Sequence, residues 1–159
     1  MMTKSPNKYF VFLAFYALSF AVQAIGGYFT QLSVTTWYMG LNKSPLAPPG
    51  AAFGIAWTIL YFLMALAATR IYRRTRTFRS HALRWWLVQL LLGFLWTVMF
   101  FGHREIMVGM QIIATNWIAV GITLYLFKRI DKVAAWMLAP LWAWLTFASY
   151  LNLYILAHN

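Results

Sequence analysis

Residues 51–69 read AAFGIAWTILYFLMALAAT, and residues 70–84 continue RIYRRTRTFRSHALR. The first stretch carries no charge and no proline; the second holds Arg70, Arg73, Arg74, Arg76, Arg79 and Arg84. A bilayer core about 30 Å thick is crossed by a helix of about 20 apolar residues. An apolar run of that length ending in a basic cluster reads as a membrane span meeting its headgroup layer. Residues 9–28, 85–102, 106–127 and 133–157 pass the same test, with no charge inside any of them. Barrel strands would alternate over about 10 residues, whereas these runs are apolar on every side. The first run lacks a clean cleavage site and four more follow it, so it reads as a span and not a signal peptide. The expected fold is one all-α membrane domain over residues 1–159, a five-transmembrane-helix bundle with a long first loop.

Composition excludes most alternatives. Of the 159 residues, 63% are apolar, 19% aromatic and 9% charged, against about 25% charged in soluble domains. There is no cysteine, hence no disulfide, thiolate nucleophile or Cys-ligated metal. Glu105 and Asp131 are the two acids, too few for a paired-carboxylate hydrolase or a calcium cage. No metal site and no cofactor is expected. The net charge of +11 belongs with a membrane surface, not with nucleic acid, given this hydrophobicity.

Eleven of the 13 basic residues fall on one side of a five-span topology: Lys4 and Lys8, the six arginines above, and Lys128, Arg129 and Lys132. Lys43 and Arg104 lie opposite. This bias predicts a cytoplasmic N-terminus, with the first loop and C-terminus across the membrane. The arginine run reads as anchoring beside anionic headgroups, or as a lipid- or partner-binding segment. Glu105 is placed at the start of the fourth span and Asp131 is placed to cap the fifth.

The connection 30–50, TQLSVTTWYMGLNKSPLAPPG, is too polar and proline-rich to span. Pro45, Pro48 and Pro49 stiffen it, and Pro49 suits the start of the second helix. Gly50 and Gly54 have the spacing of a close helix contact. With Trp37, Tyr38 and Lys43 the segment reads as a lid over the bundle, or as an interfacial aromatic belt. On the third span Gln89, Gly93, Trp96 and Phe100 share one helical face. Trp57 and Tyr61 are a turn apart on the second span, and Pro140 and Trp144 on the fifth, where Pro140 predicts a kink. A cavity walled by Trp57, Trp96, Trp142 or Trp144 would suit a flat, conjugated, apolar ligand; the other reading is tryptophan packing. Gly109, Ile113, Trp117 and Gly121 form a stripe suited to a second copy or to internal packing.

Trp37, Tyr38, Leu41, Lys43, Pro48, Pro49, Phe53, Trp57, Leu60, Tyr61 and Met64 together resemble the first loop and second helix of the translocator protein family. This is the tryptophan-rich sensory protein or peripheral-type benzodiazepine receptor group. Gln89, Trp96 and Phe100-Phe101-Gly102 match its third helix; Pro140, Trp144, Phe147, Ala148, Leu151 and Asn152 match its fifth. Two positions depart: Ser44 stands where the family has the proline after Lys, and Gly93 where it usually has Asn. The resemblance implies a five-helix protein, commonly a homodimer, in a bacterial cell membrane. It implies binding or transport and stress sensing for porphyrins (protoporphyrin IX, haem), sterols and isoquinoline or benzodiazepine-type drugs, the tetrapyrrole being ligand and not cofactor.

By position, Trp57 and Trp144 correspond to tryptophans tied to porphyrin binding and its light-dependent breakdown. Tyr38, Tyr61, Gln89, Gly93, Trp96, Phe100, Phe147 and Ala148 correspond to the ligand site, and Lys43, His103 and Arg104 lie on the side where propionates would sit. Two alternatives stay open: a light-dependent porphyrin-degrading enzyme using Trp57 and Trp144, and a regulatory partner acting through the arginine-rich loop.

Overall fold

The computed structural model describes residues 7–159. Lys4, counted above on the basic side, lies outside them, as does the side chain of Lys8. Five long helices account for nearly all of the described chain: α1 (Lys8–Val34), α2 (Gly50–Thr75), α3 (His81–Thr97), α4 (Ile106–Ile130) and α5 (Lys132–His158). Each is long and apolar enough to cross a membrane, α3 together with the π-helical segment Val98–Gly102 that continues it. The fold is an all-α, five-helix membrane bundle.

The helices outrun the apolar stretches because polar ends can be capped outside the hydrocarbon. Asn7 accepts from the Tyr9 amide to start α1, and Ser80 from the Leu83 amide to start α3. Helix α1 continues to Val34, so residues 30–34, read above as loop, are its last turn. The first connection therefore runs from Thr35 to Pro49, with a 3₁₀ turn at Tyr38–Gly40. Helix α5 passes through Pro140 as one continuous element.

Helix α4 lies between α3 and α5, while α2 bridges α1 and α5. Small residues let the central helices approach: Ala65, Ala67 and Ala68 on α2 and Ala134 on α5 are fully buried. Trp86 of α3 reaches across and donates its indole N–H to the Met64 carbonyl of α2 at 3.2 Å. Outward, Phe10, Phe20, Ile59 and Trp136 are exposed, a surface costly in water and suited to acyl chains.

One ionic cluster ties the arginine-bearing end. The Asp131 carboxylate accepts from the Val133 and Ala134 amides at 2.9 and 3.1 Å, capping α5 as its position predicts. It also accepts two hydrogen bonds from Arg70 at 3.2 and 2.9 Å and one from Arg74 at 3.4 Å. Burial alone would raise the Asp131 pKa, but the Ala134 amide and the two guanidiniums outweigh it and leave it below the usual carboxylate value. Two arginines of the run thus join α2 to the α4–α5 junction. Glu105 sits at the N-cap position of α4 without a capping hydrogen bond from its side chain.

The paired glycines of α2 do not form a helix contact. A Cβ on Gly50 or Gly54 would meet nothing within 4 Å. Close approach occurs at Gly109, where a Cβ would lie 2.8 Å from Phe100 Cδ2.

Candidate functional site

Segment Val98–Gly102 is π-helical, with the His103 amide bonded to the Val98 carbonyl at 2.9 Å. In an α-helix consecutive residues diverge by about 100°. The wider turn lets Phe100 and Phe101 both face inward and both be buried. Phe100 then stacks on Trp96 at 5.7 Å with 14° between planes, and its ring lies over Gly109 of α4.

These rings belong to one continuous aromatic cluster. Trp37 and Tyr38 of the first loop contact Phe100 at 5.6 and 6.3 Å, and Tyr38 contacts Phe101 at 5.4 Å. Trp96 contacts Trp57 at 6.3 Å, and Trp57 in turn contacts Tyr61 at 5.8 Å and Trp144 at 6.4 Å, edge to face. Phe53 and Phe147 flank Trp144 at 5.5 and 5.9 Å. Trp57 of α2 thus links the indoles of α3 and α5, with Trp96 and Trp144 each in contact with it.

The first loop is held by hydrogen bonds within itself and to α5. The Lys43 ammonium donates to the Tyr38, Met39 and Leu41 carbonyls at 2.8, 3.1 and 3.0 Å, so its donors are spent holding the 3₁₀ turn and not turned toward a carboxylate ligand. Asn42 and Asn159 hydrogen-bond reciprocally: the Asn42 amide N–H donates to Asn159 Oδ1 at 2.9 Å, and Asn159 Nδ2 to the Asn42 carbonyl at 3.2 Å. Ser44, standing in the proline slot, bonds the Tyr150 hydroxyl at 3.1 Å. Pro45 and Pro49 are exposed and Pro48 half-buried, a rigid strap leading into α2. Burial raises the Tyr38 phenol above its ordinary pKa. His103 and Arg104 are exposed beyond the π segment, Arg104 with φ of 62°.

Among the described residues, no open chamber of the expected size lies beneath this roof. The space bordered by Tyr38, Phe53, Trp96, Phe100, Ala148 and Asn152 is about 20 Å³, room for one water. Ring packing has closed it. A larger space, about 510 Å³, opens on the outside between α2 and α5, bordered by Ala56, Ile59, Leu60, Pro140, Ala143, Trp144 and Phe147. Three polar atoms around these spaces are buried without partners: Trp96 Nε1, Trp144 Nε1 and Asn152 Oδ1. Unmet indole N–H groups cost about 1–3 kcal/mol each, which a hydrogen-bonding guest would relieve.

A scan of family models matches the TspO/MBR family over residues 15–158. The chain belongs to the TspO/MBR family. It is 37% identical over 147 residues to the tryptophan-rich protein TspO of Archaeoglobus fulgidus, covering 92% of this chain and 93% of that one. It is 34% identical over 142 residues to the tryptophan-rich sensory protein of Cereibacter sphaeroides, covering 89% and 87%. To the translocator protein of Sus scrofa it is 30% identical over 139 residues, 82% of each chain.

Within this TspO/MBR chain the expected residues divide. Tyr38, Trp57, Tyr61, Trp96, Phe100, Trp144, Phe147 and Ala148 gather around the cluster or its two spaces. Gln89 and Gly93 border neither; Gln89 is buried, and a Cβ at Gly93 would stand 3.5 Å from Asn116 Nδ2 of α4. Trp142 is not in the cluster. It stacks on Trp117 at 5.0 Å and donates to the Trp117 carbonyl, while Trp117 donates to Thr146. The α4 stripe packs in part within one chain: Gly109 faces Phe100, Ile113 is buried, and the half-buried Trp117 and Gly121 lie against Trp142. Phe101 was missed as a wall residue because a straight helix turns it off the face. Asn152 had a signal, an amide inside an apolar span. Among the described residues no three His, Asp or Glu side chains gather as metal ligands.

Proposed function

We propose that this membrane protein binds flat, largely apolar ligands of the porphyrin class between the indoles of Trp57, Trp96 and Trp144, beneath the first loop. The observation that carries this is the meeting of three tryptophans from three helices with two of their N–H groups, on Trp96 and Trp144, left without partners. A conjugated ring offers its faces to the indoles and its polar atoms to the free N–H groups. With only about 20 Å³ open beneath the loop, the ligand must part the rings, exchanging ring–ring contacts for ring–ligand contacts of the same kind.

Family membership supports the reading: one relative is named a sensory protein and another a translocator protein. Sensing or transport of porphyrin, with sterols and isoquinoline- or benzodiazepine-type drugs as further ligands, is the form it takes here. The basic-residue bias supports an N-terminus in the cytoplasm and a loop on the opposite side of the membrane, here taken as a bacterial cell membrane. A homodimer is the assembly that goes with this reading.

The test is a titration of intrinsic fluorescence with protoporphyrin IX in detergent. Trp57→Phe and Trp144→Phe should each weaken binding about tenfold, about 1.4 kcal/mol; unchanged affinity in both overturns the site. Light-driven degradation is the second reading, since the two oxidisable indoles of Trp57 and Trp144 lie edge to face at 6.4 Å. It requires more than one porphyrin consumed per protein, lost in the double variant.

A further inference from the structure

We infer that ligand reaches the aromatic cluster sideways from the bilayer, through the groove between α2 and α5, and not from above through the loop; this rests on the porphyrin reading just given. The two approaches differ in what must break. From above, Lys43 locks the 3₁₀ turn with three hydrogen bonds, Asn42 is paired with Asn159, and Ser44 is bonded to Tyr150. Under that roof lies about 20 Å³.

From the side, a space of about 510 Å³ already exists, and Ala56, Ile59, Ala143 and Phe147 give it an apolar wall. Its lining includes Trp144, the same residue that meets Trp57 in the cluster and keeps a buried, unpartnered indole N–H. The groove is therefore continuous with the site through one side chain. Its α5 wall includes Pro140, which has no N–H to give the Trp136 carbonyl, so the backbone there lacks one rung of its ladder. Small side chains at Ala56 and Ala143 leave the mouth open, and a ligand dissolved among acyl chains arrives at that mouth without crossing water. A turn of the Trp144 ring about its side-chain bonds would then admit the ligand between Trp57 and Trp96.

The test uses the whole chain in vesicles. Ala143→Leu and Ala56→Leu fill the mouth, and Ala143 is exposed, so the fold tolerates the first. Protoporphyrin IX delivered from donor vesicles should associate about tenfold more slowly with the filled variants, at unchanged final affinity. Asn159→Ala, which removes the side chain that makes both bonds to the Asn42 backbone, and Ser44→Ala should leave the rate as it is. An unchanged rate in the filled variants, or a faster one in the loop variants, overturns the route. Ligand identity is separated by a second readout. In phosphatidylcholine with brominated acyl chains, the wild type minus Trp144→Phe difference should show quenching of Trp144, lost in Ala143→Leu. Quenching with that pattern but no porphyrin binding overturns the ligand assignment; its absence in the wild type overturns the groove as an opening to the bilayer.

Discussion

Replacing Asp131 separates the forces at the arginine-bearing end of the bundle. Asp131→Ala removes the acceptor for the Val133 and Ala134 amides, a helix cap worth about 1 kcal/mol. It also removes the partner of Arg70, whose side chain is 35% exposed, so screening holds that pair to about 1 kcal/mol. The carboxylate itself is 4% exposed, so water cannot restore the lost contacts in place. The total is about 2 kcal/mol. Asp131→Asn keeps an amide oxygen that can cap and loses only the charge, so it should cost about half as much.

Thermal unfolding in detergent at pH 7 should rank wild type above Asp131→Asn above Asp131→Ala. The Asp131 pKa is lowered in the fold, so its contribution is whole above the unfolded value of about 3.9 and fades as pH falls through the folded value. The wild-type and Asp131→Asn curves should therefore converge only below pH about 4. A gap between them that stays constant down to pH 3 would refute the ionic account, as would equal loss in both variants.

Further substitutions follow from single contacts. Lys43→Met removes the donor to the Tyr38, Met39 and Leu41 carbonyls, and hydrogen exchange across 38–44 should accelerate about tenfold or more while the helices stay protected. Gly54→Ala should raise the melting temperature, gaining up to about 1 kcal/mol of helix propensity, because a Cβ there meets nothing. Trp142→Phe loses the hydrogen bond to the Trp117 carbonyl and should cost about 1 kcal/mol of stability while porphyrin affinity stays at the wild-type value; weakened binding would place Trp142 back in the site.

The fold was legible because its signal is additive. Nineteen uncharged residues at 51–69, and four runs like them, leave a chain in lipid no choice but helix. The inward face that runs on from α3 was legible from spacing as far as Phe100, and Asp131 as a cap from its place before an apolar run. What escaped depends on partners distant in sequence or on irregular backbone. The Asn42–Asn159 pair spans 117 positions and leaves no local trace. The π segment puts Phe101 beside Phe100 against α-helical periodicity. Spacing could place Trp142 and Trp144 on the same helix but not say which would turn inward: Trp144 meets Trp57, and Trp142 meets Trp117. Volume was the least legible quantity. Abundant tryptophan suggested a chamber, whereas the same rings fill it.

The indole N–H signals in a nitrogen-15 spectrum report ligand at the tryptophan cluster one residue at a time. Trp86, Trp117 and Trp142 already donate to Met64, Thr146 and Trp117, whereas Trp96 and Trp144 have no acceptor. Saturation with protoporphyrin IX should move the Trp96 and Trp144 signals downfield, as new hydrogen bonds form, and leave the other three in place. Movement of Trp117 and Trp142 with Trp96 and Trp144 unmoved would put the ligand on the far face of α5 and contradict the account.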